Sequence, residues 1–428
     1  MDRFTVVTLG CRVNHCESEA IARELATLGW NRADQGQTAD VAVINTCCVT
    51  EKAAMQSRQA IRRALNSHPG ARIVVTGCYA QTEPEAVQRI AGVHALIGQA
   101  DKHRLARLLA LGQPMPEDPP PIAGQRAFSP YAEPALGSRT RPLLKIQDGC
   151  NSFCTYCIVP HARGRSRSLD PDKVVATIGQ IRAAGFHEVV LTGIHMGAYG
   201  LDLNPRIRLH DLLLRLIDER PIDRIRLSSI EPQELDAQII DLVARNPIFC
   251  RHFHVPLQSL DDGILNAMGR PYRADGAAAT VMAIADRIPD AAIGADILVG
   301  FPGESPAAFA RTMDRVGRLP LTYLHVFPFS PRKPTPASQL AGRLHPSEMA
   351  ERCRLLRDLG KGKTSDFRHL QIGKRAVVIT EKQEKNGTRA MSDNYLSVLV
   401  QPALAPNTMV TVRLCGSTRQ DDLLGRHG

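Results

Sequence analysis

Cys150, Cys154 and Cys157 stand in a Cys-x3-Cys-x2-Cys loop directly after an apolar run, Leu143 to Ile146. Three thiolates that close together can hold three corners of a [4Fe–4S] cube and leave the fourth iron without a protein ligand. An open iron can take a small molecule such as S-adenosylmethionine. The other metal chemistry open to these residues is a zinc site, which needs a fourth Cys or His and would take it from His161.

A second set of thiols is spread more widely. Three β-branched runs, Thr5 to Leu9, Asp40 to Asn45 and Arg72 to Thr76, read as buried parallel strands, each with a helical pattern after it, near Glu17, Glu51 and Glu83. Each run ends on a cysteine: Cys11, Cys47 and Cys78. The carboxyl ends of the strands in an open α/β sheet share one edge, where ligands bind. Three cysteines far apart in sequence are therefore expected to converge. Cys16 and Cys48 lack that register and read as packing residues, although spacing alone does not separate Cys48 from Cys47.

The elements that must position these thiols fall into four stretches: a doubly wound α/β domain over residues 1–112, a proline-rich linker over 113–138, a β/α core over 139–366 and a small all-β module over 367–428. In the core, strand-like runs recur at Leu143–Gln147, Glu188–Thr192, Arg224–Ser228, His252–Pro256, Ala292–Val299 and Tyr323–Phe327. Helical stretches such as Asp172–Ala184 and Asp211–Arg220 separate them, which predicts a partial or full β/α barrel with its chemistry at the carboxyl ends of the strands. Thr192 and Gly193, Ser228 and Glu231, and Gly300 and Gly303 fall at such ends and are candidates for holding a polar cofactor. The tail shows strand runs at Arg375–Thr380, Tyr395–Val400 and Met409–Leu414, consistent with a five-stranded barrel.

Composition narrows the partners. The chain has 53 Lys and Arg against 43 Asp and Glu, a net charge of +10, which favours a polyanion such as RNA. Arg163, Arg165 and Arg167 alternate with small residues just past the cysteine loop and could follow phosphates as an extended strip. Lys374 and Arg389 are the corresponding candidates in the tail. No apolar run approaches the roughly 20 residues of a membrane span. Eleven cysteines in a chain that enters a strand pattern from Phe4 lead to the expectation of reduced thiols and a cytoplasmic location.

These residues resemble the radical S-adenosylmethionine (radical SAM) methylthiotransferases. The resemblance rests on Thr8-Leu9-Gly10-Cys11-Arg12-Val13-Asn14, Asn45-Thr46-Cys47, Gly77-Cys78, Asp148-Gly149-Cys150, Pro256-Leu257-Gln258-Ser259 and the run from Asp296 to Glu304, and it covers essentially the whole chain. Two loop positions depart from the family pattern: Leu260-Asp261 follows Ser259 where Gly-Ser is usual, and Pro334 replaces a usual Gly before Thr335. The resemblance implies a cluster-binding first domain, a radical SAM core and a C-terminal TRAM domain. It also implies two [4Fe–4S] clusters, one on Cys150, Cys154 and Cys157 that cleaves S-adenosylmethionine to a radical, the other on Cys11, Cys47 and Cys78 that presents sulfur. Tyr156, between two ligands, would lie near the adenine. The implied partners are a tRNA anticodon loop and an electron donor such as flavodoxin or ferredoxin.

Within the family, the runs Leu9–Asn14 and Leu191–Tyr199 are most similar to the branch acting on threonylcarbamoyladenosine at tRNA position 37. Branches acting on isopentenyladenosine or on a ribosomal-protein aspartate are the enzymatic alternatives, and a non-catalytic zinc-containing RNA-binding protein is the alternative of another class.

Overall fold

The apolar runs near the amino terminus form one parallel sheet: β1 (Arg3–Thr8), β2 (Asn31–Arg32), β3 (Val41–Thr46), β4 (Arg72–Gly77) and β5 (Val93–Ile97), in the order β2-β1-β3-β4-β5. The structure is a computed structural model and describes all residues except 1, 35, 117, 132, 133, 135, 138, 419–421 and 428. Both faces of the sheet are covered by α1 (Arg12–Thr27), α2 (Glu51–Ser67), α3 (Cys78–Thr82), α4 (Pro84–Gln88) and α5 (Leu105–Ala110). Ile21, Leu25, Trp30 and Leu109 fill one side, and Ile61, Tyr79 and Val87 the other. That two-sided cover is why β3 is buried along its whole length and apolar from Val41 to Ile44. The strand order reverses between β1 and β3, where the carboxyl ends leave a crevice.

Helix α2 begins where Thr50 accepts a hydrogen bond from the Ala53 amide at 3.1 Å, an ordinary side-chain cap. Helix α1 begins at Arg12, five residues before the Glu17 that the apolar pattern marks. Its first turn is held by polar contacts instead, Asn14 donating to the carbonyls of Leu9 and Thr46 at 2.7 and 3.0 Å. The proline-rich stretch contains a single short turn among the described residues, Ile122–Gly124, yet Ile122 is buried and Phe128, Tyr131 and Leu136 pack on the neighbouring cores.

Next come β6 (Leu143–Lys145) and β7 (Gln147–Asp148), then α6 (Val159–Arg163) and β8 (Arg167–Ser168), which pairs back on β7. The core continues through β9 (Glu188–Thr192), β10 (Arg224–Leu227), β11 (His252–Gln258), β12 (Ala292–Val299) and β13 (Tyr323–Pro328). Helices α7 (Pro171–Ala183), α8 (Leu209–Glu219), α9 (Ala237–Arg245), α10 (Asp262–Ala267), α11 (Ala274–Arg287) and α12 (Pro306–Arg318) fill the connections. The strands form two parallel sheets, β6-β9-β10 and β11-β12-β13, joined by a bridge between Ile225 and Phe249. The result is a six-stranded arc, a partial barrel, with no pairing among the described residues between β6 and β13.

The N-terminal sheet and its helices span that opening. Helix α1 lies against β6. At the other edge, Arg332 beyond β13 pairs with Glu51 at 2.6 Å and with Glu83, and the Glu51 amide donates to Ser330.

A long helix that the sequence pattern does not single out, α13 (Pro346–Gln371), packs on β13 and leads into the tail. There β14 (Arg375–Glu384), β15 (Gly387–Ser392), β16 (Ser397–Gln401), β17 (Met409–Ser417) and β18 (Leu423–Arg426) close into a barrel in the order β14-β15-β16-β18-β17. Its five strands include β15 and β18, which are too short or too polar to stand out in the sequence.

Among the contacts that tie this barrel to the arc, two clusters centre on buried side chains. The Tyr395 ring, in the turn between β15 and β16, sits 4.4 Å from His252 and 5.7 Å from Tyr323, at the amino ends of β11 and β13. Arg12 also reaches its hydroxyl, at 3.3 Å. Beside it, Glu188 pairs with Arg224 and Arg226 at 2.5 and 2.8 Å, all three buried. The two guanidinium groups donate onward to the carbonyls of Val377, Met391, Ser392 and Asp393.

Burial favours the neutral acid of Glu188, but Arg226 and Arg224 outweigh it and bring the carboxyl from 4.5 down to about 2. A carboxyl depressed in this way contributes stability above its unfolded value, and that stability is lost as pH falls from about 4.5 towards 2. Glu188→Gln is expected to cost about 3–5 kcal/mol at neutral pH by leaving two buried arginines short of their anion. It should also flatten the acid loss over that window, both read from denaturant unfolding followed by circular dichroism.

Candidate cluster and cofactor site

The loop from β7 to β8 is fixed by its own backbone. Gly149 takes a φ of +71°, and a side chain there would collide with the Arg165 carbonyl. The Cys150 amide donates to the Gly164 carbonyl at 3.0 Å, drawing the two ends of the loop together. Cys150, Cys154 and Cys157 then line one cavity of about 390 Å3, a volume suited to a nucleoside-sized ligand. His161 is exposed, sets its ring edge on Phe153 and does not line the cavity, so the fourth corner of a closed zinc site is not supplied from there.

The thiols have polar neighbours. His195 Nδ1 lies 3.5 Å from Cys150 Sγ, and its Nε2 lies 2.7 Å from Glu234. Burial disfavours charge on His195, but the bonds to Cys150 and Glu234 prevail and lift the ring to about 10. Arg270 donates to Cys154 Sγ at 3.3 Å. Burial, joined by the neighbouring Cys154 and Cys150, pushes the Cys157 thiol to about 12.

The other residues expected at the cofactor divide in two. Tyr156, Gly193 and Glu231 line the cavity, Tyr156 packed edge-on against Phe301 and Glu231 already paired with Arg270. Thr192, Ser228, Gly300 and Gly303 do not line it. Thr192 is buried in the sheet, Ser228 donates to Met196 Sδ, the Gly300 amide donates to Glu304, and the Gly303 amide donates to Gly342. Their places on the wall are taken by Ser229, Gln258 and Asp296, together with His195 and Arg270. Gln258 holds a φ of +60°, a left-handed backbone that a non-glycine residue keeps only where its surroundings fix it. His195 was findable from its place just past a strand end. Arg270 carries no such signal.

The second thiol set stands at the carboxyl ends of β1, β3 and β4, which are neighbours in the sheet. Cys11 precedes α1, Cys47 follows β3 and Cys78 opens α3. Gly10, with φ +97°, must lack a side chain because a Cβ there would lie 2.8 Å from Cys47 Sγ. Cys48 is fully buried, as a packing residue would be, and its thiol also donates to Cys78, holding that thiol down to about 6. Burial pushes Cys47 up to about 12. Two residues on from this pair, Val49 and Thr50 line the cavity that holds Cys150, Cys154 and Cys157.

The arginine strip needs correction. Arg163 is 1% exposed and Arg167 is 4% exposed, so neither follows a phosphate backbone. Arg163 donates to Glu17 and Asp148 at 3.0 and 2.9 Å, and to Asn14 at 2.6 Å. Lys145 bridges the same two carboxylates, Lys102 pairs with Glu17 at 2.5 Å, and Arg167 lies 3.6 Å from Asp148. Only Arg165 is exposed, 4.8 Å above the Phe153 ring. In the tail, Lys374 is paired with Asp290, and Arg389 with Glu384 and Asp422.

This network sets four cations against two carboxylates, and Arg163 acts on Cys11, Cys47 and Cys78 alike. A buried surplus of positive charge beside three thiols fits an anionic group held there.

Residues 3–98 match the model of the uncharacterized protein family UPF0004, and residues 144–316 match that of the radical SAM superfamily. The radical S-adenosylmethionine methyltransferase TsrM from Kitasatospora setae shares the fold, with a TM-score of 0.57 at 17% identity over 78% of this chain and 73% of its own. Fold and cysteine loop together define a radical SAM enzyme, a class that uses S-adenosylmethionine and a [4Fe–4S] cluster. Full-length relatives narrow the class further. The threonylcarbamoyladenosine tRNA methylthiotransferase MtaB of Bacillus subtilis is 37% identical over 92% of this chain and 89% of its own. That of Aquifex aeolicus is 35% identical over 91% and 95%. The chain belongs to the MtaB family of radical SAM methylthiotransferases. Among the described residues no helix is long and apolar enough to cross a membrane.

Arg163→Gln is expected to destabilise the protein by about 3–5 kcal/mol, since it leaves buried carboxylates without their partner. Arg165→Gln should change stability by less than about 0.5 kcal/mol. Denaturant unfolding of the two variants side by side measures the contrast.

Proposed function

We propose that the protein is a tRNA methylthiotransferase that converts N6-threonylcarbamoyladenosine at position 37 to its 2-methylthio derivative, by radical sulfur insertion and methyl transfer from S-adenosylmethionine. The observation that carries this reading is the shared cavity: the loop bearing Cys47 supplies Val49 and Thr50 to the wall that holds Cys150, Cys154 and Cys157. Residues 1–112 serve as the sulfur-presenting part, 139–366 as the radical core and 367–428 as an RNA-gripping module, joined by 113–138.

Cys150, Cys154 and Cys157 would hold the superfamily cluster, and Cys11, Cys47 and Cys78 a second [4Fe–4S] cluster. When bound, the first supplies one-electron cleavage of S-adenosylmethionine, with electrons from a donor such as flavodoxin or ferredoxin, and the second supplies sulfur. The chain's own residues do the rest. The salt bridges of Arg163 to Glu17 and Asp148 set the spacing of the two thiol groups. Arg270 and His195 hold Cys154 and Cys150 in place. Tyr156 is fixed by Phe301 at the cavity wall, where an adenine can lie against it. The N-terminal sheet closes the open side of the arc and keeps bulk water out. Single-stranded anticodon nucleotides can splay a base into such a cavity, which a duplex cannot.

Anaerobic reconstitution is expected to load about eight irons per chain, about four on each thiol set. Cys150→Ala should abolish 5′-deoxyadenosine formation, while Cys78→Ala should keep that formation and lose only the methylthio product. Loss of both activities together in Cys78→Ala would overturn the division of roles. Nucleoside mass analysis of a deletion strain tests the substrate: unchanged 2-methylthio-threonylcarbamoyladenosine would rule it out. Binding of the tRNA should weaken steeply as salt is raised.

A further inference from the structure

Two histidines and an aspartate to which the proposed reaction gives no role meet on adjacent strands at the wall of the shared cavity. His254 is on β11, Asp296 on β12 and His325 on β13, with Asp296 directly opposite His325 in the ladder. Asp296 Oδ1 lies 3.2 Å from His325 Nδ1 and 3.2 Å from His254 Nε2, and the two nitrogens are 3.3 Å apart.

Hydrogen bonding alone serves this triangle poorly. If both rings donate to the shared oxygen, two N–H groups crowd each other across 3.3 Å. If one ring turns its lone pair inward, the other ring's single N–H must be split between that nitrogen and the carboxylate oxygen. A cation at the centre satisfies all three atoms at once. Metal–ligand bonds of about 2.1 Å put adjacent ligands about 3.0 Å apart in an octahedron and about 3.4 Å apart in a tetrahedron. The observed edges fall between these values. His254 is also oriented from behind, its Nδ1 lying 2.7 Å from Ser229 Oγ, an outer contact that leaves Nε2 free for a metal when Nδ1 is the donor.

The geometry points to a divalent first-row metal site formed by His254, Asp296 and His325. Two imidazoles and one carboxylate leave further coordination positions open. Asp296 and Ser229 line the cavity shared with Cys150, so these positions are available to an oxygen ligand lying in it. On the proposed substrate, and resting on that reading, the ligand is the carboxylate of the threonyl arm. Without a cation, Asp296 would repel that carboxylate.

Mn2+ is the probe, because it avoids thiolates and its free ion is counted directly by electron paramagnetic resonance. The reconstituted protein, its clusters in their oxidised diamagnetic state, should bind about one Mn2+ per chain at this site. Asp296→Asn and His325→Gln should each weaken binding by at least about tenfold, with iron content and circular dichroism unchanged. No binding, or binding equally strong in both variants, overturns the site. Enhanced relaxation of water protons by the bound ion supports open positions, and its absence overturns them. Free N6-threonylcarbamoyladenosine should lower that enhancement and adenosine should not. Equal behaviour of the two overturns the carboxylate ligand while the ion site stands. Failure of the enzyme to modify tRNA carrying this nucleoside overturns the substrate reading instead, whatever the Mn2+ result.

Discussion

Arg163 donates to Glu17 on α1 and to Asp148, two residues before Cys150, so one guanidinium joins the parts of the chain that carry the two thiol sets. Glu17 lies six residues after Cys11, and Arg163 six residues after Cys157. Taking charges of this kind out of water costs several kcal/mol each, and only close, fully bonded geometry offsets that cost. The network therefore tolerates little drift between the N-terminal sheet and the cysteine loop. Helix α6, which carries Arg163, is also packed by Ile158 and Ala162 into the apolar core of that sheet. Position and charge are set by the same helix, and the guanidinium it brings acts on Cys11, Cys47 and Cys78.

The six-stranded arc makes sense beside that constraint. A closed barrel would have no side through which a second thiol set could face the first. Stopping at six strands leaves a seam, and the N-terminal sheet fills it with α1 at one edge and the Glu51–Arg332 contact at the other. The carboxyl ends of both sets of strands then feed one interior. Two folds that each bind ligands at their strand ends are combined so that those ends meet.

Much of this was legible in the sequence, and the failures have physical causes. Strand runs closing on Cys11, Cys47 and Cys78 could be read because a buried parallel strand is nearly all apolar, so its end is sharp. The arginines could not, because alternation in sequence says nothing about partners, and Glu17 is 146 residues from Arg163. Of the residues expected at the cofactor, Thr192 and Ser228 are buried in the packing, whereas Gly193, expected beside them, and the neighbouring Ser229 line the cavity. Strand alternation makes every such choice two-sided. Helix α1 was placed too late because Asn14 is buried through hydrogen bonds, which leave no hydrophobic mark. His254, Asp296 and His325 are invisible as a group until three strands are laid side by side.

Tyr395 gives the C-terminal barrel a part in the arc itself. Its ring lies against His252 and Tyr323 at the amino ends of their strands, the end opposite the cysteines. The arc thus has a floor that its own strands do not supply: one end faces the cysteine loop and the other rests on a ring from a separate fold.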